Sequence, residues 1–513
     1  MTEEKTLVRP DIPDADAVSA ALSPATREAL AGDFPLLIDG RFVEAASGRH
    51  GTTSDPATGR DLARFAMGAA EDIDRAVAAA ARAFEGPWSR IGNFGRARLL
   101  RRLAELLEAN ARTLAEIEVL DNGMPLILAE MITRGNVELL NYYAGWAERI
   151  EGTTTSPPER ILAEGDALTY TLREPVGVVG QIIPWNVPLS MACLKLAPAL
   201  AAGCTVVLKP AEETPLSAVL LGRLILEAGI PEGVVNIVNG DGAEAGHALV
   251  RHPRVSKIAF TGSTEVGKAI ARDCADDLKK VSLELGGKSP VIVFPDADIA
   301  RAIPGVATAT FFLQGQNCMA GTRIFVHADI YEELLEGLAN HCARMKIGHG
   351  LAPGTMIGPL ISARQKQRVT GYIEDGKASP ARLVAGGNAI EGEGHFVEPT
   401  IFADVSPDMR IVREEIFGPV MAVQRFEGDQ IDDVVRLAND SVYGLSGSVW
   451  TRDLATAHRV AGRVRSGHVS VNCHGAVAAN IPFGGYRQSG WGREFGREGM
   501  DLYLETKAVT VSL

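Results

Sequence analysis

Between residues 176 and 275 short apolar runs alternate with stretches of helical length, and few folds can accept that order. Strands are expected at 177–183, 205–208, 234–238 and 257–260, with helices at 189–202, 215–228, 243–250 and 265–274. Strand, helix, strand in this rhythm demands crossover connections and so a parallel sheet. A nucleotide site is then expected at the carboxyl ends of the strands. Residues 191–208 are apolar and nearly long enough to span a bilayer. They carry Lys195, Pro198 and Gly203, and end in the strand-like Cys204-Thr-Val-Val-Leu208, so a buried helix followed by a buried strand is expected.

The rest of the 513-residue chain is organised around this block. At roughly 150 residues per domain it holds about three domains' worth of chain. Helices are expected at 72–84, 96–120 and 126–150, ahead of the alternating block. A second α/β stretch begins near 289, with a strand at 290–294 and a helix at 331–345. Residues 508–512 alternate like a strand, either an edge strand or one pairing with another subunit. Residues 1–35 read as a loosely held arm. They open on an acidic Met1-Thr-Glu-Glu with no basic start or apolar run, so no secretory signal is expected.

A net charge of −13 argues against nucleic acid and anionic membranes as partners. The six cysteines, at 193, 204, 274, 318, 342 and 473, form no Cys-x-x-Cys pair. They fit reduced thiols in a cytoplasmic protein, with no metal site. The histidines show no metal-ligand spacing, and His474, beside Cys473, reads as a surface or supporting residue.

One cysteine stands apart. Cys318 lies in Gly315-Gln-Asn-Cys-Met-Ala-Gly321, between glycines that allow close approach of a ligand. Upstream, Glu284 sits in Leu283-Glu-Leu-Gly-Gly-Lys-Ser-Pro290, where flanking leucines predict burial and a raised pKa. A thiol nucleophile and a carboxylate base are what oxidation of an aldehyde through a thioester requires. Asn186, in the stiff corner Ile183-Pro-Trp-Asn-Val-Pro188, can serve an oxyanion or simply satisfy a turn. Phe260-Thr-Gly-Ser-Thr-Glu-Val-Gly267 joins a strand to a helix and, taken alone, is an ordinary turn. Leu208-Lys-Pro-Ala-Glu212 could bind ribose hydroxyls or be an exposed loop.

These segments, with Glu414-Glu-Ile-Phe-Gly-Pro419 and Pro482-Phe-Gly-Gly-Tyr486, resemble the aldehyde dehydrogenase superfamily, in that family's order, from about residue 36 to the end. The resemblance implies a Rossmann-like parallel-sheet NAD-binding domain at 36–150 and 175–285. It also implies a second α/β, catalytic domain at 286–490 and a small β oligomerisation element at 151–174 and 491–513. Residues 152–168 are longer and richer in Pro and Thr than expected there.

By the resemblance Cys318 attacks the aldehyde, Asn186 and the Cys318 N–H hold the oxyanion, and Glu284 activates water. Glu494 relays protons. The NAD contacts implied are Ile183, Trp185, Lys209, Glu212, Gly242, Gly246, Gly262, Ser263, Gly267, Glu415 and Phe417. Glu212 stands where a 2′-phosphate would be repelled. Val187, Met191, Leu194, Phe312, Asn317, Met319 and Ile481 match the aldehyde tunnel. With no Lys or Arg among them, they imply an apolar, bulky or aryl aldehyde. Aliphatic Val187 and Leu194 replace the aromatics that relatives use for betaine aldehyde. Relatives imply a homodimer or homotetramer. The alternatives are CoA-acylating oxidation, which the presence of Glu284 disfavours, phosphorylating oxidation, which pairs the cysteine with a histidine that is not near Cys318 in the sequence, and a non-catalytic binding or structural protein, against which intact Cys318, Glu284 and Asn186 argue.

Overall fold

A computed structural model describes residues 10–13, 15–155, 167–428 and 431–512. The N-terminal residues read for a signal, and most of the Pro- and Thr-rich segment, lie outside them. The alternating block forms strands Val178–Ile182, Thr205–Lys209, Val235–Ile237 and Lys257–Thr261, separated by helices Pro188–Ala202, Leu216–Glu227 and, after Gly242, a short helical stretch ending at Arg251. These strands pair in parallel, with Lys280–Glu284 added beside Lys257–Thr261. Leu36–Ile38, Arg41–Val43 and Gly490–Trp491 complete eight strands at the two edges. The central strands are buried except at the carboxyl ends of two, Ile182 and Thr261, as apolar runs in a sheet covered on both faces must be. Helices Pro87–Ala109, Ala111–Asn122 and Leu126–Ala147 pack with Pro188–Ala202 into the largest apolar core.

A seven-stranded sheet follows, in the order Arg382–Ala385, Thr400–Ala403, Val420–Phe426, Gly321–His327, Ser289–Val293, Ser446–Trp450, His468–Val471. Leu504–Ser512 pairs antiparallel with Ala167–Pro175 and is the edge of a three-stranded sheet with Thr154–Thr155. Among the described residues no helix is long and apolar enough to cross a membrane. Residues 191–208 are instead a buried helix, Gly203 in the left-handed region, and a strand.

Three expectations need correction. The helix expected over 96–120 is two helices, because the Asn110 side chain donates to the Leu106 carbonyl at 2.8 Å and ends the first. The helix expected over 243–250 begins with a π-wound turn, Gly242–Gly246, whose Asp241 side chain caps the Glu244 N–H. The N-terminal arm is anchored at two places along its described length, while residues 16–21 between them are mostly exposed. Pro24–Leu30 is a helix whose buried Thr26 donates to Glu116 at 2.5 Å, and Asp11 forms a bridge with Gly348.

Candidate active site

The strand-to-helix turn after Lys257–Thr261 divides two adjoining cavities. The first, about 480 Å³, is lined by Ile183, Lys209, Glu212, Gly242 and Gly246. The second, about 430 Å³, is lined by Asn186, Glu284, Cys318, Glu415 and Phe417. Both are lined by Pro184, Trp185, Thr261, Gly262, Ser263 and Arg364. The Ser263 hydroxyl accepts from the Val266 N–H and caps helix Thr264–Ala275, so that helix's positive end faces the junction. A Cβ at Gly267 would overlap the Leu285 side chain, so the glycine lets the helix lie close against that residue. In the first cavity the buried Lys209 ammonium donates to the Pro210 carbonyl at 2.8 Å and lies 3.6 Å from the half-exposed Glu212 carboxylate. Ile183 is buried, its N–H donating to the Lys209 carbonyl.

Cys318 follows helix Ile299–Phe311 and a 3₁₀ turn in which Leu313, Gln314 and Gly315 all have φ between 52° and 71°. Two non-glycine residues in that region mark a strained turn held by its surroundings. The Gln314 amide donates to Gly123 and Pro359, and Gln316 accepts from the Ile361 N–H. A Cβ on Gly315 would overlap the Gly418 carbonyl, and one on Gly287 the Cys318 carbonyl. The Asn186 amide donates one N–H to the Gln316 carbonyl at 3.0 Å, which leaves its second N–H for a ligand. Burial, then the Glu415 and Glu284 carboxylates, push the Cys318 thiol well up.

Glu284 ends strand Lys280–Glu284 and is buried, with Oε2 lacking any protein partner among the described residues. Desolvation first, and Glu494 second, raise its pKa well above that of an ordinary carboxylate. Glu494 does not line either cavity; Lys195 pairs with it at 2.5 Å, both side chains buried. Glu415 accepts from the Gly287 N–H at 2.8 Å, and burial pushes its pKa up to about 7. Phe417, with φ of 61°, lies edge-on to Trp185 at 5.2 Å.

The tunnel residues are less gathered. Leu194 is buried in the main core, and Met191 packs against that core. Val187 and Phe312 pack around Leu313. Met319 and Asn317 are half-buried beside the thiol, and Ile481 is exposed. None of the seven lines either cavity.

Four supporting residues escaped sequence reasoning. The Asn122 amide donates to the Trp185 and Asn186 carbonyls at 2.7 and 3.1 Å. Gln365 holds the Phe417 carbonyl at 2.8 Å, and Arg368 holds that of Glu415 at 2.7 Å. Lys195 carried a usable signal, because a lysine in an otherwise apolar helix needs an anionic partner. No comparable signal marks the other three. Among the described residues no cluster of His, Cys, Asp and Glu could hold a metal ion.

The model of the aldehyde dehydrogenase family matches residues 42–509. Aldehyde dehydrogenase family 2 member B4 of Arabidopsis thaliana is 48% identical over 93% of this chain and 88% of its own. The benzaldehyde dehydrogenase of Antirrhinum majus is 46% identical over 97% of this chain and 92% of its own. Among solved structures, the NAD+ complex of an aldehyde dehydrogenase from Bacillus cereus superposes with a TM-score of 0.93. It is 46% identical, covering 96% of this chain and 99% of that one.

Proposed function

The chain belongs to the aldehyde dehydrogenase family, and from that membership we propose that it oxidises an aldehyde to the carboxylic acid with NAD and water through a covalent adduct on Cys318. The observation that carries this reading is one cavity lined at once by a thiol, a buried carboxyl group and a side-chain amide, Cys318, Glu284 and Asn186.

The residues fit a dinucleotide. Two cavities meet at a helix N-terminus and Arg364, where a pyrophosphate finds positive charge, and each contains one carboxylate suited to ribose hydroxyls, Glu212 and Glu415. Held by these residues, NAD would supply the hydride acceptor that the oxidation requires, and its positive charge would favour the thiolate form of Cys318.

The Cys318 thiolate attacks the carbonyl carbon, forming a C–S bond as the oxygen gains the charge. The free Asn186 N–H and the Cys318 backbone N–H stabilise that oxyanion. At the thioester, Glu284 takes a proton from water as the water oxygen attacks. The C–S bond then breaks, regenerating the thiolate. Its raised pKa makes Glu284 a stronger base than a solvated carboxylate.

Apolar, bulky or aryl aldehydes are the favoured substrates. The uncharged side chains around Met319 and the similarity to a benzaldehyde dehydrogenase support this. We read the protein as a cytoplasmic homodimer or homotetramer. Its free cysteines support the first part, and the exposed Leu168, Leu172 and Val511 on the three-stranded sheet support the second.

The test is a panel of short aliphatic, long aliphatic, terpenoid and aryl aldehydes, followed by NADH formation and product mass. Acid formed without phosphate or coenzyme A, fastest with aryl or bulky members, is expected. An acyl-phosphate or acyl-CoA product, or an unchanged rate in Cys318→Ala, would overturn the reading.

A further inference from the structure

The loop that begins at Cys473 reaches back under the nucleophile. The His474 ring lies between strand Ser446–Trp450 and the Cys318 turn, with Nδ1 2.9 Å from Ser448 Oγ and Nε2 2.7 Å from the Met319 carbonyl oxygen. A carbonyl can only accept, so Nε2 carries the proton. Nδ1 of the neutral ring then accepts from the Ser448 hydroxyl. Burial lowers the ring's pKa to about 4, so this tautomer persists across neutral pH. His474 Cε1 lies 3.1 Å from where a Cβ on Gly321 would stand, so glycine at the turn's far end lets the ring come this close. The next residue, Gly475, has φ of 67°, and its missing Cβ leaves room for the Met319 methyl group.

The turn is therefore clipped on both sides of the thiol. Asn186 holds the Gln316 carbonyl at 3.0 Å, two residues before Cys318, and His474 holds the Met319 carbonyl one residue after it. We propose that His474 is a positioning residue for Cys318, and that with Gly475 it ties the Cys473–Ile481 loop to the nucleophile. The role rests on the reading of Cys318 given above. It requires the neutral ring with its proton on Nε2, and no proton passes through His474 in the reaction.

The experiment uses the full-length protein in three variants. His474→Phe fills the space without a donor, His474→Gln restores an N–H near Nε2, and Ser448→Ala frees the tautomer. Two readouts are taken: steady-state kinetics, and the rate of Cys318 alkylation by iodoacetamide, which needs no aldehyde turnover. For His474→Phe, kcat and the alkylation rate are expected to fall by up to roughly a hundredfold, the scale of an ångström-level misplacement. NAD affinity and aldehyde KM stay within about threefold, and His474→Gln recovers most of the loss. Ser448→Ala gives a smaller loss of the same kind, and decides the matter if His474→Phe does not fold. Wild-type alkylation rates in the folded variants, or a Gln variant as impaired as Phe, would overturn the proposal. Wild-type protein inactive on every aldehyde would instead overturn the assigned reaction, with the alkylation series still reporting on His474.

Discussion

Lys195 holds Glu494 in a buried ion pair at 2.5 Å, and the Glu494 carboxylate in turn disfavours ionisation of Glu284. The proposed general base is thus tuned by a pair that touches neither cavity. Replacing Lys195 by Met leaves Glu494 as an uncompensated charge. The expected result is an acid limb of the kcat profile shifted to higher pH, because Glu284 then gives up its proton less readily. Stability should drop by about 3–5 kcal/mol, the usual cost of breaking a buried pair, read by urea denaturation. A limb at or below the wild-type position would contradict this.

Glu284→Gln keeps the shape of the site and removes its proposed base. One NADH per active site should form in a burst, followed by a steady rate slowed by about 10²–10⁴-fold as the acyl-enzyme waits for water. Intact-mass measurement should show the acyl group on Cys318. Full steady-state turnover would remove Glu284 from the mechanism.

Asn186→Ala deletes both the proposed oxyanion donor and the clip on Gln316. A fall in kcat of about 10²–10³-fold is expected, with NAD affinity unchanged by calorimetry. A change confined to KM would place Asn186 in substrate binding instead.

In its proposed role Glu415 would bond ribose hydroxyls best when ionised, and burial raises its pKa to about 7. The raised pKa means that the charged form is lost as pH falls through 7. NAD should bind up to roughly tenfold more tightly at about pH 8 than at about pH 6. That dependence should vanish in Glu415→Gln, as followed by fluorescence titration.

Glu212 stands in the first cavity beside Lys209, and its charge opposes a 2′-phosphate. kcat/KM for NAD should exceed that for NADP by at least about tenfold, a difference of ~1.4 kcal/mol. Because Glu212 is half-exposed, the margin should shrink in high salt. Equal efficiencies would refute the preference.

The chain's local chemistry determined a good deal. Periodicity between 176 and 275 placed a parallel sheet, because a buried strand must be apolar along its whole length and its crossovers must be helical. Leucines around Glu284 foretold its burial, and glycines around Cys318 a close approach to it, since these are properties of neighbours in the chain. What tertiary structure decided was convergence. Asn186, Glu284 and Cys318 line one cavity because one stands at a strand-to-helix corner, one at a strand end and one in a turn leading into the second sheet. Asn122 and His474 support the site from a helix and a loop that are distant in sequence, so no local pattern announces them, and the apolar helix around Lys195 foretold an anionic partner without saying that it is Glu494. Neither could the split at Asn110 or the docking of Thr26 on Glu116 be read locally, because each depends on where a single side chain finds its hydrogen-bond partner.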